Sequence, residues 1–335
     1  MTGKDRHVFA GFSAAILLAT FLCGAWAVSA AGKEAWKVHD DLFSMSFPTD
    51  KEGWACGRSG VILHTSDGGA TWERQASGVE FTLTSIDFTD RENGWAVGNK
   101  GTILHTADGG RTWKRQTSPI DYFHMCVAFR TPQKGFIASE RTHILATQDG
   151  GETWQVRFKD EDFILKALSF CDDLHGWAVG EFGYIYATVD GGQSWQKQAG
   201  LYDLDEETGS LKGGTFLYDV VALDPRTAWA VGIQGAVKRT TDGGKTWEDV
   251  DLELPPVQLY CISWDGAEAL RIGGRGLCVT STDRGESWQE ARFEPPIGYS
   301  WIYGLAPLSK GQGAACGDEG AIYLSGSPNW HRVGY

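Results

Sequence analysis

An eight-residue segment that ends in tryptophan recurs along the chain and constrains its fold more than any other feature. The first copy is Thr-Ser-Asp67-Gly-Gly-Ala-Thr-Trp72, and Thr-Ala-Asp108-Gly-Gly-Arg-Thr-Trp113 follows it 41 residues later. Later copies end 41, 41, 52 and 41 residues further on, and a degenerate copy follows after 42. A period near 41 with strand-like content predicts the blades of a β-propeller.

Each period reads as four short strands. In the second period these are residues 83–88, 95–98, 102–106 and 113–116, with turns rich in Asp, Asn and Gly between them. We therefore predict an all-β fold, a single seven-bladed β-propeller of four-stranded antiparallel blades over residues 32–335. The blades end near residues 72, 113, 154, 195, 247, 288 and 330, and their first strands are counted from Phe43, Thr84, Met125, Lys166, Asp219, Tyr260 and Tyr303.

The composition agrees with short strands and tight turns, since the chain has 44 Gly and 15 Trp against only 3 Met. Its formal net charge is −13. Nucleic-acid binding gains free energy when a basic surface releases counterions. The acidic balance therefore argues against a nucleic-acid partner.

The first 31 residues are predicted to be a secretory signal peptide. Lys4 and Arg6 precede a stretch from residue 8 to residue 28 that is apolar or small almost throughout, and small residues surround a cleavage point near Ala30 or Ala31. The apolar stretch is also long enough to remain as an uncleaved anchor. We therefore expect an exported protein.

Two further expectations concern how the ring closes. Cys56 and Cys316 take equivalent places in the first and last blades, where facing sheets lie about 10 Å apart. A disulfide needs roughly 4.4–6.8 Å between Cα atoms, and we predict no bridge. We expect the segment Trp36-Lys-Val-His39 to supply the closing strand of the seventh blade, although Trp330-His-Arg-Val333 also reads as a fourth strand.

The repeated segments resemble Asp-box, or BNR, repeats of the form S/T-x-D-G-G-x-T-W. With Gly94-Trp-Ala-Val-Gly98 and Gly176-Trp-Ala-Val-Gly180 they are similar to the photosystem II assembly and stability factors, the Ycf48/Hcf136-like propellers, over residues 42–330. The resemblance implies a non-catalytic propeller, exported or lumenal, that helps to assemble a membrane protein complex. In photosynthetic hosts the implied partner is the D1 reaction-centre subunit.

The Asp-box carboxylates are interpreted as structural. An aspartate in such a turn accepts hydrogen bonds from backbone N–H groups, and the glycines after it supply positive φ. With one box per blade, the carboxylates would be too far apart to share a metal ion, and we predict neither a metal nor another cofactor. The six aspartates are Asp67, Asp108, Asp149, Asp190, Asp242 and Asp283.

Sialidases carry the same boxes, so a glycan-directed hydrolase or lectin is the alternative from another class. A sialidase needs three converging arginines, a tyrosine nucleophile with a glutamate, and an acidic proton donor. The nearest match to its Arg-Ile-Pro segment is Arg130-Thr-Pro132, at the ordinary end of a first strand in the third blade. The sequence therefore predicts that the chain is not an enzyme.

One face of the propeller is predicted to vary from blade to blade, as functional loops do on a constant framework. It carries the turns between second and third strands and the links between blades, including about eleven extra residues around 201–214 with several acidic side chains. Mixed charge with aromatic residues suits a protein partner. The predicted partner-binding residues are Arg58, Lys100, Tyr122, Arg141, Phe182, Arg275, Tyr299 and Trp301.

These features predict an exported assembly scaffold in the periplasm or the thylakoid lumen, with or without association to the inner membrane. Its partner would be a membrane protein complex, through an extracytoplasmic loop or tail. A D1-like photosystem subunit is expected only if the host is photosynthetic.

Overall fold

The structure is a computed structural model that describes residues 39–202, 215–326 and 329–333. Three segments discussed above lie outside the described residues. They are the predicted leader, residues 36–38 of the expected closing segment and most of the acidic insertion. Within the described ranges, no helix is long and apolar enough to cross a membrane.

Seven sheets form the fold, and in each of them four strands follow one another in chain order. All the pairs between consecutive strands of a blade are antiparallel, which confirms the predicted seven-bladed propeller. The first three blades comprise β1 (Leu42–Ser46), β2 (Gly53–Gly57), β3 (Ile62–Thr65), β4 (Glu73–Gln75), β5 (Leu83–Phe88), β6 (Gly94–Gly98), β7 (Thr102–Thr106), β8 (Lys114–Arg115), β9 (His124–Phe129), β10 (Gly135–Ser139), β11 (His143–Thr147) and β12 (Gln155–Phe158).

The remaining four blades continue the same order. They comprise β13 (Leu165–Phe170), β14 (Gly176–Gly180), β15 (Ile185–Thr188), β16 (Gln196–Ala199), β17 (Leu217–Asp224), β18 (Thr227–Gly232), β19 (Val237–Thr240), β20 (Glu248–Asp249), β21 (Leu259–Trp264), β22 (Leu270–Gly274), β23 (Leu277–Ser281), β24 (Gln289–Glu290), β25 (Phe293–Glu294), β26 (Ile302–Pro307), β27 (Gly313–Gly317), β28 (Ile322–Ser325) and β29 (Trp330–Val333). Short 3-10 turns occupy Arg58–Gly60, Glu181–Gly183, Ile233–Gly235, Ser309–Gly311 and Asp318–Gly320.

The hydrophobic core lies between neighbouring blades. Second strands such as β6 are buried along their whole length, whereas fourth strands such as β8 are exposed. At the interface between the first two blades, Trp54 stacks on Phe88 with ring centroids 3.7 Å apart, in a cluster that also holds the small residues Cys56 and Ala96. This packing explains why apolar and small residues alternate with turn residues in every period.

The seventh blade is completed by the C-terminal strand, so the expectation of an N-terminal closing strand was wrong. One edge of β29 pairs antiparallel with β28, and the other pairs parallel with β25 from the link before the blade. Trp330 packs against Phe293, with ring centroids 5.5 Å apart. At Trp330 and His331, both edges of β29 are therefore paired with strands of the C-terminal part of the chain.

The first and last blades meet side by side across a seam. Apolar residues of both blades, including Met45 and Ile322, form one buried cluster. The Ser309 N–H donates to Asp50 Oδ1 at 2.7 Å, and the Glu319 N–H donates to Asp41 Oδ1 at 3.1 Å. Cys56 and Cys316 are both buried with free thiols.

Candidate functional site

The turns between second and third strands present side chains from a strained backbone position. In six blades a residue other than glycine has φ between 50° and 58° at the same place in this turn. A side chain at positive φ costs conformational energy that glycine avoids, and such strain concentrates at functional sites. These residues are Ser59, Lys100, Arg141, Phe182, Gln234 and Glu319.

Arg58, one of the predicted partner-binding residues, does not occupy the positive-φ position that Lys100 holds in the second blade. Ser59 stands there, and Arg58 comes one residue earlier, level with Asn99: the Arg58 N–H donates to the Asp41 carbonyl and the Asn99 N–H to that of Thr82. The guanidinium of Arg58 donates to Asp41 Oδ2 at 2.6 Å.

The first strands of all seven blades surround a central cavity of 530 Å³. Each first strand begins with a β-bulge, an extra residue that has no partner on the second strand. A bulge re-aims the side chain of its extra residue, and here all seven of these side chains line the cavity. They are Phe43, Thr84, Met125, Lys166, Tyr218, Tyr260 and Tyr303. The sequence count began the fifth first strand one residue late, at Asp219.

Four of the bulged residues are aromatic and come from consecutive blades around the ring. Ring centroids lie 5.1 Å apart for Tyr218 and Tyr260, 5.2 Å for Tyr260 and Tyr303, and 5.3 Å for Tyr303 and Phe43. Trp301 stacks on Tyr260 at 5.3 Å. We call Phe43, Tyr218, Tyr260, Trp301 and Tyr303 the aromatic wall.

Carboxylates lie beside the aromatic wall at Tyr218 and at Tyr303. Burial and then the nearby Glu181 carboxylate raise the pKa of Tyr218. At Tyr303, between Tyr260 and Phe43, burial and then Asp41 and Asp318 raise the pKa of the phenol to about 12. The pKa of Asp318 is itself raised, by burial and by the neighbouring Glu319 and Asp41 carboxylates. Negative charge is therefore crowded beside Tyr303.

Two cations line the same cavity, Arg58 at the first blade and Lys166 at the fourth. Burial lowers the pKa of Lys166, and the nearby Glu181 and Glu140 carboxylates act in the opposite direction. Those two carboxylates also accept backbone N–H groups, from Ile164 at 3.0 Å and Phe123 at 3.1 Å. The lysine thus lies among carboxylates that are fixed by the starts of the first strands.

A second aromatic group lies on the same face at the fourth and fifth blades. The ring of Phe163 lies 4.8 Å from that of Phe182 and 5.4 Å from that of Tyr202, and Phe182 lies 5.1 Å from Phe216. Tyr202 is 46% exposed. This group borders the insertion whose acidic residues lie outside the described residues.

The predicted partner-binding residues fall into separate groups. The Arg275 guanidinium lies 5.9 Å from the ring centroid of Tyr299 and 5.5 Å from that of Trp301, at the outer end of the aromatic wall. Arg141 stacks over Tyr122 at 4.9 Å in the third blade. Lys100 covers Phe81 at 4.3 Å in the second blade.

Of the predicted residues only Arg58 lines the cavity. The three arginines Arg58, Arg141 and Arg275 therefore do not converge on it.

The Asp-box carboxylates are engaged within their own turns. Asp108 Oδ1 accepts the Thr112 N–H at 2.9 Å and the Thr106 hydroxyl at 2.8 Å, and its Oδ2 accepts the Thr112 hydroxyl at 2.7 Å. These hydrogen bonds lower the pKa of Asp108 to about 2. Asp67, Asp149, Asp190, Asp242 and Asp283 repeat the pattern. In the described part of the chain, no group of three or more His, Cys, Asp or Glu is placed to hold a metal ion.

The family model for the photosynthesis system II assembly factor YCF48 matches residues 27–119, 113–201 and 206–333. The chain belongs to the YCF48 family. No curated protein matches it. The family match and the Asp boxes together confirm the resemblance predicted from the repeats.

Solved structures share the fold at low sequence identity. A YCF48 bound to a D1 peptide has a TM-score of 0.67 and 20% identity over 86% of this chain and 91% of its own. YCF48 from Cyanidioschyzon merolae has a TM-score of 0.69 and 17% identity, over 88% and 98%. The GH74 xyloglucanase from Xanthomonas campestris has a TM-score of 0.66 and 12% identity, and this chain covers 54% of it.

Proposed function

We propose that the chain is a non-catalytic, exported scaffold for the assembly of a membrane protein complex. The observation that carries the proposal is the cavity mouth with its aromatic wall, at the end of the propeller where the turns vary, in a chain of the YCF48 family. Buried aromatic anchors beside charged side chains are the usual core of a protein interface.

The proposed mechanism is docking of a loop or tail of the membrane protein across this face, in the periplasm or the thylakoid lumen. Arg275, Tyr299 and Trp301 would contact the partner at the outer end of the aromatic wall. A related YCF48 has been solved with a D1 peptide. In a photosynthetic host the partner of this chain would therefore be a D1-like subunit.

Co-purification of the tagged chain from detergent-solubilised membranes of its host, read by mass spectrometry, tests the proposal. The test variant combines Arg275→Glu with Trp301→Ala, and the control is Lys245→Glu, an exposed residue of an Asp box at the other end of the blade. We expect wild type and control to recover one membrane complex and the test variant to lose it. Recovery of no membrane protein, or equal recovery by the test variant, would overturn the proposal.

A further inference from the structure

The central cavity offers an aromatic surface to a ligand. Its 530 Å³ falls within the range of about 300–1,000 Å³ typical of binding pockets. Tyr218, Tyr260, Tyr303 and Phe43 come from four consecutive blades and line it together. The bulges that place these side chains recur in every blade, but aromatic residues occupy them only from the fifth blade round to the first.

The charge around the aromatic wall indicates the sign of that ligand. Three carboxylates lie beside Tyr303 and Trp301: the Asp318 N–H donates to the Trp301 carbonyl at 3.2 Å, and the Glu319 N–H donates to Asp41 Oδ1 at 3.1 Å. The two cations that line the cavity already lie beside carboxylates: Arg58 pairs with Asp41 at 2.6 Å, and Lys166 lies near Glu181 and Glu140. Burial together with like-charge repulsion raises the free energy of the ionised Asp318, and a cation placed beside it would lower that free energy.

Arg275 provides an internal example of the same chemistry. Its guanidinium lies 5.5 Å from the ring centroid of Trp301, within the range of about 6 Å for a cation–π contact. The chain therefore uses the outer end of the aromatic wall to hold a guanidinium of its own. The tyrosines further along the wall face the cavity.

We infer that the cavity mouth binds a basic side chain of a polypeptide partner, an arginine or a lysine. Its aliphatic stem lies along Tyr260 and Tyr303, and its charged head lies beside Asp318. Aromatic rings attract cations through their quadrupole, and a carboxylate beside them adds a charge-assisted hydrogen bond. This inference rests on the proposed scaffold function and adds to it the chemistry of the residue that is recognised.

Titration with short peptides tests the inference on the purified full-length chain. The probes are acetyl-Gly-Ser-Gly-Arg-Gly-Ser-Gly-amide and the same peptide with citrulline, which has the shape of arginine without its charge. Binding is followed by calorimetry and by tryptophan fluorescence. We expect the arginine peptide to bind about tenfold more tightly than the citrulline peptide.

Three variants locate the site. Asp318→Asn and Tyr260→Leu are each expected to weaken binding of the arginine peptide about fivefold or more. Glu248→Gln removes the same charge as Asp318→Asn from an exposed position on β20, and it should leave binding unchanged. If Tyr260→Leu lowers the melting temperature of the protein, the test is the comparison of peptide binding by Asp318→Asn with peptide binding by Glu248→Gln.

Several outcomes would overturn the inference. Equal binding of the two peptides would show that charge is not recognised, and equal losses in Asp318→Asn and Glu248→Gln would show only attraction to an acidic protein. Competition by cellobiose, a neutral sugar that also stacks on aromatic rings, would assign the aromatic wall to a glycan.

The two experiments together separate this inference from the scaffold function. If no peptide binds but the membrane complex co-purifies, this inference is wrong and the scaffold function stands. If the peptides behave as expected but no membrane protein co-purifies, the scaffold function fails and the basic-residue site stands.

Discussion

Asp219 is a carboxylate at a position where the first two blades have a serine hydroxyl. In the first two blades Ser44 and Ser85 accept an N–H from the first strand of the next blade, at 3.2 and 3.1 Å. Asp219 accepts the Ile262 N–H in the same way at 2.8 Å, and also the Val220 N–H at 2.8 Å. Burial beside the cavity nevertheless raises the pKa of Asp219 to about 7. The ionised form is therefore costly in the folded protein.

This cost predicts a pH dependence of stability. Between about pH 4 and pH 7 folded Asp219 keeps a proton that the unfolded chain releases, so its contribution to the free energy of unfolding falls as pH rises through this window. Asp219→Ser keeps an acceptor for the next blade without the charge. We expect it to raise the free energy of unfolding at pH 8 by at least about 1 kcal/mol and to flatten the dependence between pH 5 and pH 8.

Urea unfolding at several pH values measures this effect. Asp121→Ser, which removes an exposed carboxylate from a link between blades, is the matched control. The expectation is wrong if Asp219→Ser keeps the wild-type pH profile, or if the control flattens it equally.

Fourth strands connect neighbouring blades through glutamine side chains. Gln116, just after β8, donates to the Gly150 carbonyl at 2.9 Å in the next Asp box and accepts the indole N–H of Trp154 at 3.1 Å. Gln75 and Gln198 make the same two contacts to their following blades. The third blade has Arg157 at this place, and the Trp195 indole N–H of the next blade is buried without a partner among the described residues. The exposed outer strands thus hold adjacent blades together at selected interfaces.

Gln116→Ala is expected to lower the free energy of unfolding by about 1–3 kcal/mol, since it leaves a half-buried indole N–H and a carbonyl unpaired. Arg157→Ala at the equivalent place removes an exposed side chain and should change stability by less than about 0.5 kcal/mol. Chemical denaturation of both variants gives the comparison. Equal losses would mean that the glutamine contacts contribute nothing specific.

The repeat was sufficient to predict the strands and turns because the same strand and turn residues recur in every period. The Asp box marks the turn between the third and fourth strands of a blade. It could not locate the bulges, since an extra residue in a strand has no sequence signal of its own, and the fifth first strand was misplaced by one residue. Tyr218, Tyr260 and Tyr303 were therefore used to count blades and were not recognised as a wall. Their shared place in the repeat was the signal that could have identified them. Arg275 and Trp301 were predicted as partner-binding residues because they depart from the repeat on its variable face.

At the scale of the whole molecule, the ring closes without a strand shared between its first and last blades, as far as the described residues extend. The two candidate closing segments both begin with tryptophan and have strand-like sequences, so sequence alone could not choose between them. The structure has the C-terminal segment as the closing strand, and β25 pairs with the outer edge of that strand. β25 is a two-residue strand in the link before the seventh blade. So short a parallel pair has no recognisable pattern.

Trp330 is expected to be a main anchor of the last blade, because it is 4% exposed and packs between strands on both edges. Trp330→Ala should lower the free energy of unfolding by about 3–5 kcal/mol through the cavity it leaves. His331→Ala changes an exposed neighbour on the same strand and should cost less than about 0.5 kcal/mol. Thermal unfolding of the two variants measures the difference, and similar melting temperatures would show that β29 is not essential to the ring.

The contiguity of the blades has a consequence for biosynthesis. Because each four-stranded sheet is drawn from one uninterrupted stretch of chain, a nascent polypeptide can finish a blade before the sequence of the next one has been made. Pairings within a blade span few residues, so they form with little loss of loop entropy. In the part of the chain that the structure describes, the seventh blade is completed last, when β29 enters between β28 and β25, and the first and last blades can then come together.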